Sequence, residues 1–281
     1  MALPKPKLLL QTFPLLVLFM LLANKVHSQD TTSFKIDNFE SNPNDLIYQG
    51  DANVPSGSTY LRLVRTDSLG TPQMGSVGRV LYSSPVHFWE TSRQATFETT
   101  ISFRIIPSYR GDPADGLAFF IAPVSTTILN GSSGPNLGIF DSSGTASSVF
   151  AVEYDIYVNG EWDPSYPHVG IDIDSRTSLN TTRFEERLGE VVTARINYDA
   201  NTRTITVTTN YGLSKTSTLS YVRDLKNVLP QQVRVGISAS TGAEVATFDV
   251  ISWYFYSTLE SDNNVNNKSS EKGEAYIQQY V

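Results

Sequence analysis

The residues of this chain that can do chemistry crowd into thirty positions, Val149 to Ser178, VFAVEYDIYVNGEWDPSYPHVGIDIDSRTS. Sixteen of those positions hold Glu153, Asp155 and Asp163, the side-chain amide of Asn159, the imidazole of His168 and a string of backbone carbonyls. Two carboxylates on one strand face repel unless a cation or a proton lies between them. Ligands that are all oxygen suit Ca²⁺, which takes about 6–8 of them at roughly 2.3–2.6 Å. An imidazole beside carboxylates suits a transition metal such as Mn²⁺ or Zn²⁺. A shared carboxylate can bridge two ions. The spacing therefore fits a two-metal site with Asp155 and Asp163 as the bridging pair. It equally fits a polar loop with a salt-linked Glu and Asp.

Two strands and a loop must position these groups. Side chains of a strand alternate between faces. Phe150, Val152, Tyr154, Ile156 and Val158 then share a face that can bury, and Glu153, Asp155 and Tyr157 share the other. Asn159 to Pro167, rich in Gly, Asn, Asp and Pro, is a loop. A second strand, His168 to Asp174, brings in the imidazole at its start.

As a whole the run resembles the metal-binding core of the legume lectins, V-E-[FY]-D-x-[FY]-x-N, then W-D-P, then H-[IV]-G-I-D-[IV]-x-S. The resemblance implies Mn²⁺ held by Glu153 and His168, with Asp155 and Asp163 bridging Mn²⁺ and Ca²⁺. It gives the Tyr157 carbonyl to Ca²⁺, and lets Asn159 bind Ca²⁺ with one amide atom and sugar with the other. Ser178 matches the residue that holds a Mn²⁺-bound water. No ligand position is broken. Asp174 stands where Asn is usual, and Arg176-Thr177 where an aliphatic-basic pair is common.

Three further stretches match the same family. Ala114-Asp115-Gly116-Leu117-Ala118-Phe119-Phe120-Ile121-Ala122-Pro123 sets an acid before a run apolar enough to be buried on both faces. Taken alone, Asp115 is a turn residue capping its own backbone. The resemblance makes it the acceptor of two sugar hydroxyls, after a cis Ala114–Asp115 bond. Asn130 to Phe140, NGSSGPNLGIF, resembles the loop whose glycine donates a backbone N–H to sugar, but that position is Pro135, which has no N–H. One hydrogen bond of about 0.5–1.5 kcal/mol is at stake, and Gly134 is the stand-in if the loop shifts. Ser240 to Thr247, a plain hairpin loop by itself, resembles the short specificity loop T-G-A-E of mannose/glucose binders. There the N–H groups of Ala243 and Glu244 would reach the sugar, while the Tyr157 ring would pack on the pyranose.

The rest of the chain reads as strands. Thr96 to Ile106 puts Phe97, Thr99, Ile101, Phe103 and Ile105 on one face, as in an antiparallel sheet with one wet side. Ser33–Phe39, Tyr60–Val64, Gly78–Tyr82, Glu190–Tyr198, Arg203–Asn210, Leu213–Val222, Val233–Ala239 and Val250–Thr258 complete an all-β pattern. Trp89 and Trp253 read as core. Glu185 and Glu186 are adjacent, so they face opposite ways and read as a solvated edge. The expected fold is an antiparallel, concanavalin-like legume-lectin β-sandwich.

Residues 1–28 read as a secretory signal, 29–259 as the lectin domain and 260–281 as a polar tail. The destination is then extracellular or vacuolar. Losing Lys5, Lys7 and Lys25 takes the formal charge from −7 to −10. That argues against nucleic acid and anionic membranes as partners, and no apolar run is long enough for membrane insertion. With no Cys there is no disulfide staple. Acceptor sequons fall at Asn130, Asn180 and Asn267.

The leading reading is a non-catalytic protein that binds glycans and glycoproteins of the mannose/glucose type with Ca²⁺ and Mn²⁺ as cofactors. A shallow monosaccharide site binds near millimolar, about −4 kcal/mol, so avidity would come from a homodimer or homotetramer. One rival is a glycoside hydrolase, since Glu153-Tyr154-Asp155 resembles the start of an E-x-D-x-x-E strand. A retaining mechanism needs a second carboxyl about 5–5.5 Å away, and neither Tyr157 nor Val158 is acidic. Another is a storage or defence protein that has lost sugar binding through Pro135.

Overall fold

The computed structural model describes residues 31–261 apart from 42, 110, 186, 213 and 214. The leader, Glu186, Leu213, Asn267 and all of the tail but Glu260 and Ser261 lie outside the described residues. Among those described there are sixteen strands, numbered along the chain, in two antiparallel sheets. The first sheet runs β1 (Thr31–Ile36), β16 (Ala246–Ser261), β7 (Arg93–Pro107), β12 (Val191–Asp199), β13 (Thr204–Asn210), β14 (Thr216–Val222). Short β3 (Leu61–Arg62) pairs with β16, and β6 (Trp89–Glu90) with β7. The second sheet runs β11 (Asn180–Arg183), β10 (His168–Ser175), β9 (Thr145–Asp155), β8 (Gly116–Pro123), β15 (Gln232–Ser240), β4 (Val77–Tyr82), β2 (Leu46–Gly50). In that sheet β5 (Val86–His87) pairs with β15. No helix among the described residues is long and apolar enough to cross a membrane.

Alternation builds the first sheet. In β7, β12 and β13 every second residue is buried, and the buried set of β7 includes the five read from the sequence. These side chains share one core with Phe119, Phe150, Val152 and Tyr154 of the second sheet and with Trp253 of β16. The second sheet is covered on both sides, which is why β8 is buried from Gly116 to Ala122. Ala118, Phe120 and Ala151 face away from the main core and pack on Leu137, Ile139 and Phe140 of the 130–140 loop.

Three expectations shift. The strand of Glu153 stops at Asp155 rather than reaching Val158, because the Asp155 carboxylate turns back and accepts the Tyr157 N–H at 2.8 Å. Val158 is therefore exposed, not core. Of Tyr60–Val64 only Leu61 and Arg62 join a sheet. Trp253 is fully buried, but Trp89 is half-buried at the core's margin, donating to the Leu229 carbonyl at 2.8 Å.

Candidate functional site

Register sets the acids side by side. Glu153 of β9 pairs with Gly170 of β10 and Ala118 of β8; Asp155 pairs with His168 and Gly116. Directly paired residues point the same way, so Glu153, Asp155 and His168 share a face, flanked by residues with little or no side chain. Their ligand atoms lie within 4.8 Å of one another, and all three residues are buried. His168 Nε2 is 3.0 Å from Glu153 Oε1, and both side chains are buried, 1% and 2% exposed. A Cβ on Gly170 would sit 2.7 Å from Glu153 Oε1 and collide with Ser178 Oγ. The glycine keeps that space open.

Around this trio the loop closes through carboxylates. Asn159 N–H donates to Asp163 Oδ2 at 2.7 Å, and the Trp162 and Asp163 N–H groups donate back to the Asn159 carbonyl at 3.2 and 3.1 Å. The electrostatics are unbalanced. Burial first, then Glu153 and Asp163, holds the Asp155 carboxyl well above the usual carboxylate range. Burial lifts Asp163 to about 6, although the Asn159 N–H, then His168 and Arg176, pull it down. Asp172, two residues beyond Gly170 on the same face, is raised by burial and by Glu153.

Ser178 Oγ lies 2.7 Å from both Glu153 Oε1 and Asp172 Oδ1. The Ser178 hydroxyl thus joins two buried acids whose like charges repel. Asn159 Oδ1, His168 Nδ1 and Asp172 Oδ2 are buried and lack a hydrogen-bond partner. Clustered acids, a buried imidazole and an orphaned amide oxygen form a donor set that a divalent cation fits.

The second group of expected residues gathers at the neighbouring strand ends. The Ala114–Asp115 bond is cis. Asp115 is 4% exposed, its N–H donates to the Ser240 carbonyl at 3.2 Å, and its own carbonyl accepts the Ile156 N–H at 2.9 Å. The carboxyl is pushed up to about 7 by burial against the pull of the Gly242 N–H. Asp115 Oδ2 has no partner.

Gly134 approaches from the 130–140 loop. A Cβ there would meet Gly242 Cα at 3.6 Å and the Asp115 oxygens at 3.9 Å. Its N–H is already used by the Thr241 carbonyl at 3.2 Å. So Gly134 brings free space to Asp115, while its donor is engaged. Ala243 is exposed, and Glu244 is half-buried with its carboxylate against Gly111. Tyr157 and Asn159 are half-buried.

The legume lectin domain profile matches residues 31–272. The chain belongs to the legume lectin family, whose members bind carbohydrate. Agglutinin-2 of Cladrastis kentukea is 42% identical over 275 residues, covering 95% of this chain and 92% of that protein. The mannose/glucose-specific lectin of Centrolobium tomentosum is 44% identical over 239 residues, covering 82% and 97%. Among solved structures, the acidic lectin of winged bean with methyl-α-D-galactose superposes with a TM-score of 0.76 at 38% identity, covering 82% of this chain and 100% of that one.

In this legume lectin the site also uses residues that motif reading passed over. Asp172 was visible in principle, since His168, Gly170 and Asp172 alternate onto one face. Arg79 gives no local signal. It is 1% exposed, lowered to about 10 by burial, and donates to the carbonyls of Thr127 at 2.9 Å and Gly138 at 3.2 Å. Those bonds fix both ends of the Gly134 loop. Arg176 lies over the Trp162 ring, 3.6 Å from its centroid, and donates to Asn136 Oδ1 at 2.9 Å.

Proposed function

We propose that this legume lectin is a non-catalytic binder of mannose/glucose-type glycans whose site depends on Ca²⁺ and Mn²⁺. One observation carries the reading. Asp115 Oδ2, just before β8, and Asn159 Oδ1, in the loop after β9, are both buried without partners, which is costly unless a ligand completes them. Glu153, Asp155, Asp163 and His168 would hold the ions, with the Tyr157 carbonyl, Asn159 Oδ1 and a water on Ser178. Bound cations supply the positive charge that lets these acids ionise together.

The chain's own groups do the rest. Asp163 fixes the Asn159 backbone, which aims the amide. Asp115 accepts sugar hydroxyls, the Tyr157 ring covers the pyranose, and the Ala243 and Glu244 N–H groups close the far side. The choice of hexose is supported by the short Ser240–Thr247 loop and by the named specificity of the Centrolobium relative. The winged bean structure holds a galactoside at comparable identity, so galactose is the competitor to test.

A signal segment and sequons at Asn130 and Asn180, both exposed, support a glycoprotein of the secretory pathway, destined for the cell exterior or vacuole and working as a homo-oligomer. The engaged N–H of Gly134 and the proline beside it favour a second reading, a lectin fold with lost sugar binding.

Columns of immobilised mannose and galactose, run with and without EDTA, decide. Mannose retention abolished by EDTA supports the proposal. Galactose retention moves the specificity. Passage through both columns in Ca²⁺ and Mn²⁺ favours the second reading.

A further inference from the structure

We propose that Arg176 is a positioning residue that ties the ion-holding loop to the loop carrying Gly134. The inference rests on the reading that the acid cluster takes cations. Arg176 stands where an aliphatic residue is common in the family pattern.

Its backbone and its guanidinium are both held. The Arg176 N–H donates to the Gly144 carbonyl at 3.0 Å. A Cβ on Gly144 would sit 2.9 Å from Arg176 Cδ and Cζ, so the glycine leaves the side chain its berth. One face stacks on Trp162, and one arm donates to Asn136. Stacking and a planar fork are properties that lysine lacks.

Both partners are themselves tied down. Trp162 belongs to the turn closed by Asn159 and by the Asp163 carboxylate. On the other side Asn136 is 5% exposed, and its Nδ2 donates to the Gly131 carbonyl at 2.8 Å. That bond braces the open half of the loop, residues 131–133. The half nearer β15 is anchored independently, by Ser240 Oγ on the Gly134 carbonyl at 2.6 Å and Ser238 Oγ on the Leu137 carbonyl at 2.5 Å. A continuous path thus runs from Asp163 through Asn159, Trp162, Arg176 and Asn136 to Gly131. It joins the ion loop to the half of the sugar loop that β15 does not hold. The consequence is that cation binding stiffens the 131–138 segment, chiefly its open half 131–133, as well as 156–167, and does so through Arg176.

Amide hydrogen exchange of the full chain, first in EDTA and then in Ca²⁺ and Mn²⁺, tests this without any sugar. In the native protein the ions should slow exchange in both segments. In Arg176→Met the slowing of 156–167 should persist, while that of 131–138 should fall by about fivefold or more, the lower range of site-to-site coupling. Arg176→Lys should behave like Arg176→Met, because charge alone does not stack or fork. Asn136→Ala, which cuts the path from the other end, should reproduce the loss. Unchanged protection of 131–138 in Arg176→Met, with 156–167 still protected, overturns the inference and leaves the ion reading intact. No protection of 156–167 in the native protein overturns both.

Discussion

Asp115 shows what one residue both risks and gains. A carboxyl pushed up to about 7 by burial is ill-placed for stability and well placed to accept hydroxyls once ionised. Asp115→Asn should weaken hexose binding roughly 10–100-fold, the loss of hydrogen bonds to a charged group at about 1.5–3 kcal/mol. The same change should raise the melting temperature of the EDTA-treated protein at pH 8, because a buried charge is gone; titration calorimetry and a thermal melt read the two effects. Gly170→Ala acts through space. Its methyl group would press on Glu153 and Ser178, so cation affinity should fall about 10–100-fold, the usual scale for disturbing a ligand's support. Elemental analysis after dialysis checks it. The ligand-bearing acids were legible in the sequence because a motif fixes their order and spacing. Arg79 and Arg176 were not, since the carbonyl and amide oxygens they donate to through their guanidinium groups at Thr127, Gly138 and Asn136 lie 40 to 59 residues away along the chain and only the fold brings them together.

The paired strands β9 and β10, with the loop between them and the residue before β8, concentrate acids whose burial favours the protonated form. Asp155 and Asp172 are held above the usual range, Asp163 is near 6 and Asp115 near 7. A raised folded value means the native state binds more protons than the unfolded chain, so stability falls as pH rises. In EDTA the melting temperature should therefore drop between about pH 4 and 7. With Ca²⁺ and Mn²⁺ in excess the sign should reverse, because cations bind the deprotonated acids and are lost on acidification. Melting curves at pH 5 and 7 in both conditions give the four numbers needed; parallel slopes would refute the account. Strand placement was legible wherever one face is wet, as in β7, β12 and β13. It failed at Val158, where a side chain, Asp155, ends the ladder by capping its own turn. Alternation carries no sign of that event.

For the whole molecule, the main core between the sheets makes the fold independent of disulfides, and the chain has no cysteine. Cations would add to that core by mass action. At a hundredfold excess over Kd the gain is about 2.7 kcal/mol, a melting shift of roughly 5–10 °C for a domain of this size. Calorimetry with and without EDTA measures it, and a shift under about 1 °C would mean that no cation is held tightly. The all-β architecture was legible as a whole, because most strands carry their own alternation. Which strand neighbours which was not, as β16 pairs with β1 from the far end of the described chain and with β7 from its middle.

The sheets have unequal flanks. On one side Asn180 of β11 donates from Nδ2 to the Ser220 carbonyl of β14 at 2.9 Å, lacing the margin of one sheet to that of the other. Asn180 is also an acceptor sequon, so an oligosaccharide there would stand as a bumper over that seam. Strand β1 carries no such sequon, and unpaired backbone at a sheet margin is a template for another chain. An oligosaccharide on Asn180 would thus close the β11/β14 side to a neighbouring chain and leave the β1 and β2 margins as the ones a second copy could extend.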